Sequence, residues 1–245
     1  MFLPKAIIFD LDDTLLTAYR QPERTWSAII AEHAEALGEH DSGWVTDEVL
    51  ARVLEFLSHD EHRKLWRLEG DVTRRKVVRS AFHRLNLQRP EGSAPLHGID
   101  ADRIADRFET FLEEKIALKP GARPMLEEIS RRGIALGLLT NGSGARQRGK
   151  IARFDLARHF GAIQIEEPAG LGKPDPRAYQ LILRAMNTDP DQAWMIGDDP
   201  VWDVQAPKQL GLATIHYCED ETIPSPPEAD RRISALDQIV ALIPD

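Results

Sequence analysis

Apolar residues follow two rhythms along this chain. Ala6–Phe9 is a short apolar run that stops at Asp10, the pattern of a strand buried on both faces. From residue 17 to residue 117 no convincing strand follows, and apolar residues recur instead at helical spacing. Thr25–Leu37 places Trp26, Ile29, Ile30, His33 and Leu37 on one stripe. A helix from Thr46 carries Val49, Leu50, Val53, Leu54 and Leu57. Asp71–Leu87 carries Val72, Val77, Val78, Ala81, Phe82 and Leu85, and Asp100–Leu118 carries Ile104, Phe108, Phe111, Leu112 and Ile116. Arg89–Gly98, with Pro90, Gly92 and Pro95, predicts a loop.

From Lys119 the rhythm alternates. Helices are predicted at Arg123–Arg132 (closed by Gly133), Ala145–Leu156, Pro176–Met186, Val204–Leu210 (stopped by Gly211) and Ala235–Ile243. Strands are predicted at Ile134–Leu139, Ala162–Ile165, Ala193–Ile196 and Leu212–Ile215, and a proline-rich loop at Ile223–Pro227. Strands separated by helices imply a parallel sheet with right-handed crossovers. The expected fold is α/β: a Rossmann-like three-layer core from residues 1–16 and 118–245, interrupted by an inserted α-helical domain at 17–117.

Composition narrows the function classes. With 245 residues, 42% of them hydrophobic, the chain can bury a sizeable core. A net charge of −9 argues against nucleic acid or an anionic membrane as a general partner. An anionic substrate would need a local cation. Cys218 is the sole cysteine, so no intrachain disulfide can form and a reducing compartment is expected. Met1–Phe9 is too short for a signal peptide, and no apolar stretch reaches membrane-spanning length. A cytoplasmic monomer or homodimer is therefore expected.

The candidate chemistry sits at predicted strand ends. Asp10, Asp12 and Asp13 crowd three carboxylates into Asp10-Leu11-Asp12-Asp13-Thr14, which is costly unless a cation or proton compensates. Asp10 ends its strand, where open α/β sheets place ligands. Thr140-Asn141-Gly142 joins a strand to a helix, so a hydroxyl and free N–H groups there can form an anion site. The plainer reading is an ordinary capped turn. In Lys173-Pro174-Asp175-Pro176, Pro174 restrains Lys173 to an extended conformation and Pro176 suits the first helical turn. Gly197-Asp198-Asp199 ends another strand, with Asp203 near the start of a helix; such carboxylates suit a hard cation such as Mg²⁺, or simply cap the turn. His59 and His62 have metal-ligand spacing but charged neighbours, and read as an exposed helix. Arg74, Arg75, Lys76 and Arg79 read as a solvated helix face.

Together the four segments resemble the motifs of the haloacid dehalogenase superfamily, in the family's order: DxDxT at Asp10–Thr14, a Thr after an apolar strand at Thr140, a lysine at Lys173, and GDxxxxD at Gly197–Asp203. The resemblance covers the core, and the insertion by type and position as a C1-type helical cap. More loosely, the core is similar to N-acylneuraminate-9-phosphatase and pyrimidine 5′-nucleotidases. It implies a Mg²⁺-dependent phosphatase acting on a small-molecule phosphate ester. Asp10 would be the nucleophile that forms an aspartyl-phosphate, and Asp12 the general acid and base. Thr140, Asn141, the following amides and Lys173 would bind the phosphoryl oxygens. The metal would be held by Asp10, the Asp12 carbonyl and Asp198, with Asp203 orienting Lys173 or a metal-bound water.

A sugar-phosphate mutase shares all four motifs and is the main rival. A haloacid dehalogenase would lack the second aspartate. A phosphonate hydrolase would need an early cap lysine, and residues 17–63 contain none. A non-catalytic binding protein has no need of the full set. Trp202 stands where the family commonly has a small or polar residue, and Pro207 is tolerable only in a first helical turn. Arg20 or Arg24, close after the first motif, is expected to reach a second anionic group of the substrate.

Overall fold

The computed structural model describes residues 1–17 and 22–244. The chain folds as two compact units, Met1–Ala18 with Ala117–Asp245, and Tyr19–Ile116.

The first unit is built on a six-stranded sheet, β1 (Ala6–Phe9), β4 (Ala135–Thr140), β5 (Ala162–Ile165), β6 (Ala193–Gly197), β7 (Ala213–Tyr217) and β8 (Arg231–Ile233), in the order β5-β4-β1-β6-β7-β8. Every pairing is parallel. β1 lies between β4 and β6, so the strand order reverses at the strand that carries Asp10, the place where α/β sheets open a crevice at their carboxyl ends. Ile7, Ile8 and Phe9 are all fully buried although they alternate between faces, as an all-parallel sheet covered on both sides requires. α10 (Pro176–Ala185) packs Ala178, Tyr179 and Ile182 against Ile8, Leu139 and Met195. α7 (Ala122–Arg131), with an apolar face of Met125, Leu126 and Ile129, lies against β4.

β8 escaped the sequence pattern because two of its three residues are arginines. An edge strand tolerates such charge, and Ile233 alone is buried. The predicted helix at Val204–Leu210 forms instead as a π-type turn, Pro200–Gln205, followed by the short helix Ala206–Gln209. Pro207 falls in that helix's first turn, where its missing N–H costs nothing. At the junctions β2 (Leu16–Thr17) and β3 (Ala117–Leu118) pair as an antiparallel ribbon, a strand pairing that the pattern did not show.

The second unit consists of helices α1 (Pro22–Glu32), α2 (Ala34–Leu37), α3 (Ser42–Leu57), α4 (Asp60–Leu68), α5 (Gly70–Gln88) and α6 (Gly98–Lys115). Trp26, Val49, Val78, Phe82 and Ile104 lie in its core, with the Trp26 and Phe108 rings stacked 4.7 Å apart. Leu54 and Val72 face solvent, one position off the buried stripes of their helices. Arg74 departs from the expected solvated face. It lies in register with Val77 and Val78, is 1% exposed, and bonds Glu109 and Asp71 at 2.8 Å while its guanidinium lies over the Phe108 and Trp66 rings. Arg75 and Arg79 stay outside, paired with Asp106 and Asp102. Among the described residues no helix is long and apolar enough to cross a membrane.

Candidate active site

The loop after β1 sets the geometry. Asp13 adopts a left-handed conformation (φ 57°), which aspartate tolerates better than most residues. The chain reverses there, the Leu15 and Leu16 N–H groups donating to the Leu11 carbonyl. This brings the Thr14 hydroxyl back between Asp10 Oδ2 (3.4 Å) and Asp198 Oδ1 (3.3 Å). Asp10 is 7% exposed and accepts a 2.7 Å bond from Lys173 Nζ.

Lys173 is held from three directions. Its ammonium also donates to Asp203 Oδ1 at 2.7 Å. Its backbone is paired reciprocally with the Asn141 side chain: Lys173 N–H to Oδ1 at 2.8 Å, and Nδ2 to the Lys173 carbonyl at 2.7 Å. Asp175 caps α10 through the Arg177 N–H, with Pro176 in the first turn. The Lys173–Pro174 peptide is cis. The Asn141 side chain thus holds the Lys173 backbone. Of the amides expected to face phosphate, Gly142 N–H donates to Glu166 Oε2 at 2.9 Å and Gly144 N–H to Glu167 Oε2 at 2.5 Å.

Asp203 is fully buried, packed on Gly197 so closely that a Cβ there would lie 2.2 Å from its carboxyl. Its Oδ2 accepts from the Asp199 N–H at 3.1 Å. Asp199 itself caps the following turn through the Val201 and Trp202 N–H groups, both 2.8 Å away. Trp202 is half-buried and its carbonyl accepts from Tyr179 Oη.

Single carboxylate oxygens of Asp10, Asp198 and Asp203 lie within 4.8 Å of one another. Burial pushes the Asp10 carboxyl up to about 7 against the pull of Lys173. Burial and then the Asp10 charge push Asp198 up to about 8. Asp203 is also raised, first by burial, with Lys173 opposing. Burial works against the Lys173 charge, but Asp10 and Asp203 outweigh it and hold the ammonium above its ordinary range. Three carboxyl groups thus crowd around one ammonium. Both Asp203 oxygens are engaged by Lys173 and Asp199. Asp10 Oδ2 and Asp198 Oδ1 share a hydroxyl with a single proton. That donor set fits a hard divalent cation between Asp10 and Asp198, with Asp203 serving the lysine.

Three contributors were not visible in the sequence. Lys150 Nζ lies 2.8 Å from both oxygens of Asp12, and Gln147 Nε2 lies 3.0 Å from Asp12 Oδ2 and 2.6 Å from Thr140 Oγ1. His216 supports Asp198 from behind: Nε2 donates to the Asp198 carbonyl at 3.1 Å, so Nδ1 accepts from the Ser225 hydroxyl at 2.8 Å. Burial keeps this imidazole below its usual pKa and hence neutral. Helical spacing could have flagged Gln147 and Lys150 as one inward face, but nothing in the sequence says what they face.

Other candidates fall outside this cluster. His62 Nδ1 bonds the Phe56 carbonyl and His59 Nδ1 the Ser58 hydroxyl, and neither joins a group of metal-ligating side chains among the described residues. Arg24 is exposed on α1, and Arg20 lies outside the described residues.

Comparison with known proteins settles the family. The profile of the haloacid dehalogenase-like hydrolases matches residues 4–211. The chain belongs to this family. It is 37% identical to phosphoserine phosphatase of Thermus thermophilus over a match covering 56% of this chain and 57% of that protein, so it spans little more than half of that relative's length. It is 27% identical to ribulose-1,5-bisphosphate 5-phosphatase of Halopiger xanaduensis, over 92% of this chain and 90% of that one. Among solved structures, a 2-haloacid dehalogenase from Pseudomonas syringae pv. Tomato DC3000 superposes with a TM-score of 0.62 at 27% identity, covering 99% of each chain.

Proposed function

We propose that this hydrolase is a Mg²⁺-dependent phosphatase that cleaves a small-molecule phosphate monoester through an aspartyl-phosphate on Asp10. The observation that carries this reading is the second carboxylate: Asp12 follows Asp10 on the same loop, half-buried and facing Thr140 through Gln147. An alkyl phosphate must have its departing oxygen protonated, and a carboxyl two residues after the nucleophile supports that role for Asp12. Departure of a halide needs no proton, which is why the likeness to a dehalogenase does not decide the chemistry. Relatives named as phosphatases agree with the reading.

In this mechanism an Asp10 oxygen attacks phosphorus in line while Asp12 delivers its proton to the departing alcohol. Asp12, now a carboxylate, takes a proton from the water that attacks the phosphorus of the aspartyl-phosphate, returning Asp10 and releasing phosphate. Lys173 neutralises the phosphoryl oxygens while keeping Asp10 aligned, and the Thr140 hydroxyl donates to one of them. Asp10, the Asp12 carbonyl and Asp198 would hold a divalent cation, which would supply the positive charge that two carboxylates need to face a phosphate dianion. The helical unit is read as the cap that selects the alcohol.

A panel of phosphorylated metabolites assayed for released phosphate tests this. Activity is expected to vanish in EDTA and return with Mg²⁺; full turnover after metal stripping would overturn the metal assignment. Asp10→Asn is expected to abolish turnover. Asp12→Asn is expected to suppress alkyl esters far more than p-nitrophenyl phosphate, whose phenolate needs no acid. Slow phosphate release with isomerisation of a hexose phosphate would favour a mutase instead.

A further inference from the structure

α8 (Gly144–Arg153) begins where the Thr140 loop ends, capped by Ser143 through the Arg146 N–H. Gln147 and Lys150 stand three residues apart on one face of it. They are only 2% and 9% exposed, an expensive placement for a carboxamide and an ammonium unless their partners justify it. Gln147 Nε2 reaches Thr140 Oγ1 at 2.6 Å and Asp12 Oδ2 at 3.0 Å. Lys150 Nζ reaches Asp12 Oδ1 and Oδ2 at 2.8 Å each.

The chemistry of these groups fixes their directions. A flipped Gln147 amide would aim its carbonyl oxygen at the Asp12 carboxylate, acceptor against acceptor, so the amide nitrogen must face Asp12. The same nitrogen then donates to Thr140, whose hydroxyl is the acceptor in that bond and has its own proton on a long 3.5 Å contact to the Asn141 carbonyl, which a phosphoryl oxygen would replace. Lys150, meanwhile, bonds both Asp12 oxygens at the same distance. We propose that Gln147 and Lys150 are a positioning pair: Gln147 turns Thr140 into a hydrogen-bond donor toward the phosphoryl group, and Lys150 sets the Asp12 carboxyl in line with the leaving-group oxygen. Both act through the groups they hold, the Asp12 carboxyl and the Thr140 hydroxyl. The proposal rests on the phosphatase reading of Asp10 and Asp12.

The test compares kcat/KM of wild type, Lys150→Met and Gln147→Leu on an alkyl phosphate and on p-nitrophenyl phosphate, with calorimetric melting to establish folding. This ratio reports the step up to alcohol release, the only step in which leaving-group protonation counts. Lys150→Met is expected to lose about tenfold or more of its kcat/KM on the alkyl ester relative to the aryl ester, part of the 10²–10⁴-fold worth of a positioned acid. Gln147→Leu is expected to weaken inhibition by inorganic phosphate about 2- to 10-fold, the worth of one hydrogen bond. A merely structural role would lower both esters alike. An unchanged alkyl-to-aryl ratio together with unchanged phosphate inhibition overturns the proposal. If Lys150→Met does not fold, Lys150→Arg carries the same comparison, since a fork of different length cannot hold Asp12 in the same place. A wild-type protein that releases phosphate from no ester overturns the phosphatase reading first; an active wild type with both the ratio and the phosphate inhibition unmoved in the variants overturns the positioning pair alone.

Discussion

Replacing Lys173 with methionine is the most informative perturbation of the core unit. The side chain is 3% exposed and its ammonium makes two 2.7 Å bonds, to Asp10 and to Asp203, both themselves buried. Methionine fills much of the same volume, so the loss is almost wholly one of charge. It leaves two buried carboxylates facing each other without their cation, and breaking a buried ion pair from one side costs about 3–5 kcal/mol. For a protein of this size that corresponds to a fall in melting temperature of about 6–20 °C. Differential scanning calorimetry is the suitable assay, because a chain of two compact units can melt in two transitions and the loss belongs to the unit that holds the sheet. Adding Asp203→Asn removes one of the stranded charges and is expected to recover at least about 1 kcal/mol, a coupling of the size found between contacting residues. Turnover is expected to be lost in both variants, since the phosphoryl cation is gone in both. A Lys173→Met protein that melts within a degree or two of wild type would refute the reasoning: the ammonium would then not be the group that makes this carboxylate cluster tolerable.

The remaining expectations are more local. Asp198→Asn should raise the Mg²⁺ concentration needed for half-maximal activity far more than Asp203→Asn does, because both Asp203 oxygens are already bound to Lys173 and Asp199; equal shifts in a Mg²⁺ titration would place Asp203 in the metal shell. Asp230 ties β7 to Lys208: burial acts to raise its carboxyl, but Lys208 Nζ at 2.6 Å and the Thr214 N–H at 2.8 Å outweigh it and hold it below the ordinary range. A carboxyl lowered by folding stabilises above its unfolded pKa of about 3.9, and that contribution disappears as pH falls through the folded value. Calorimetry of wild type and Asp230→Asn should therefore show a gap at pH 7 that closes near pH 2; a gap independent of pH would mean that the ion pair is not its source.

The fold was legible where physical chemistry acts locally. Ala6–Phe9 and Ala193–Gly197 are continuous apolar runs because both faces of the parallel sheet are dry at its centre. Asp10, Lys173, Asp198 and Asp203 stood at strand ends or helix starts, and the structure draws them into one cluster. What stayed hidden depends on partners distant in sequence. Lys150 and Gln147 look like any polar residues of an amphipathic helix until Asp12, 138 and 135 residues away, is placed opposite them. Arg74 looked solvated because charge was read ahead of its position on the buried stripe. β8 was hidden by its arginines. The bonds of the Asn141 side chain and of the Gly142 amide were hidden for the same reason, since Lys173 and Glu166 reach those groups from other segments.

The ribbon of Leu16–Thr17 and Ala117–Leu118 carries a consequence for engineering. Thr17 and Ala117 are paired across it, so the chain departs from the sheet-bearing unit and rejoins it at neighbouring points, about 4.5–5.5 Å apart as antiparallel partners are. A tight two-residue turn spans such a gap. The helical unit is therefore inserted between two neighbouring points of the sheet-bearing unit. It can be cut out and the ends joined, or exchanged for another module whose termini lie side by side, with β1, β4, β6 and the residues at their ends kept in their original covalent order.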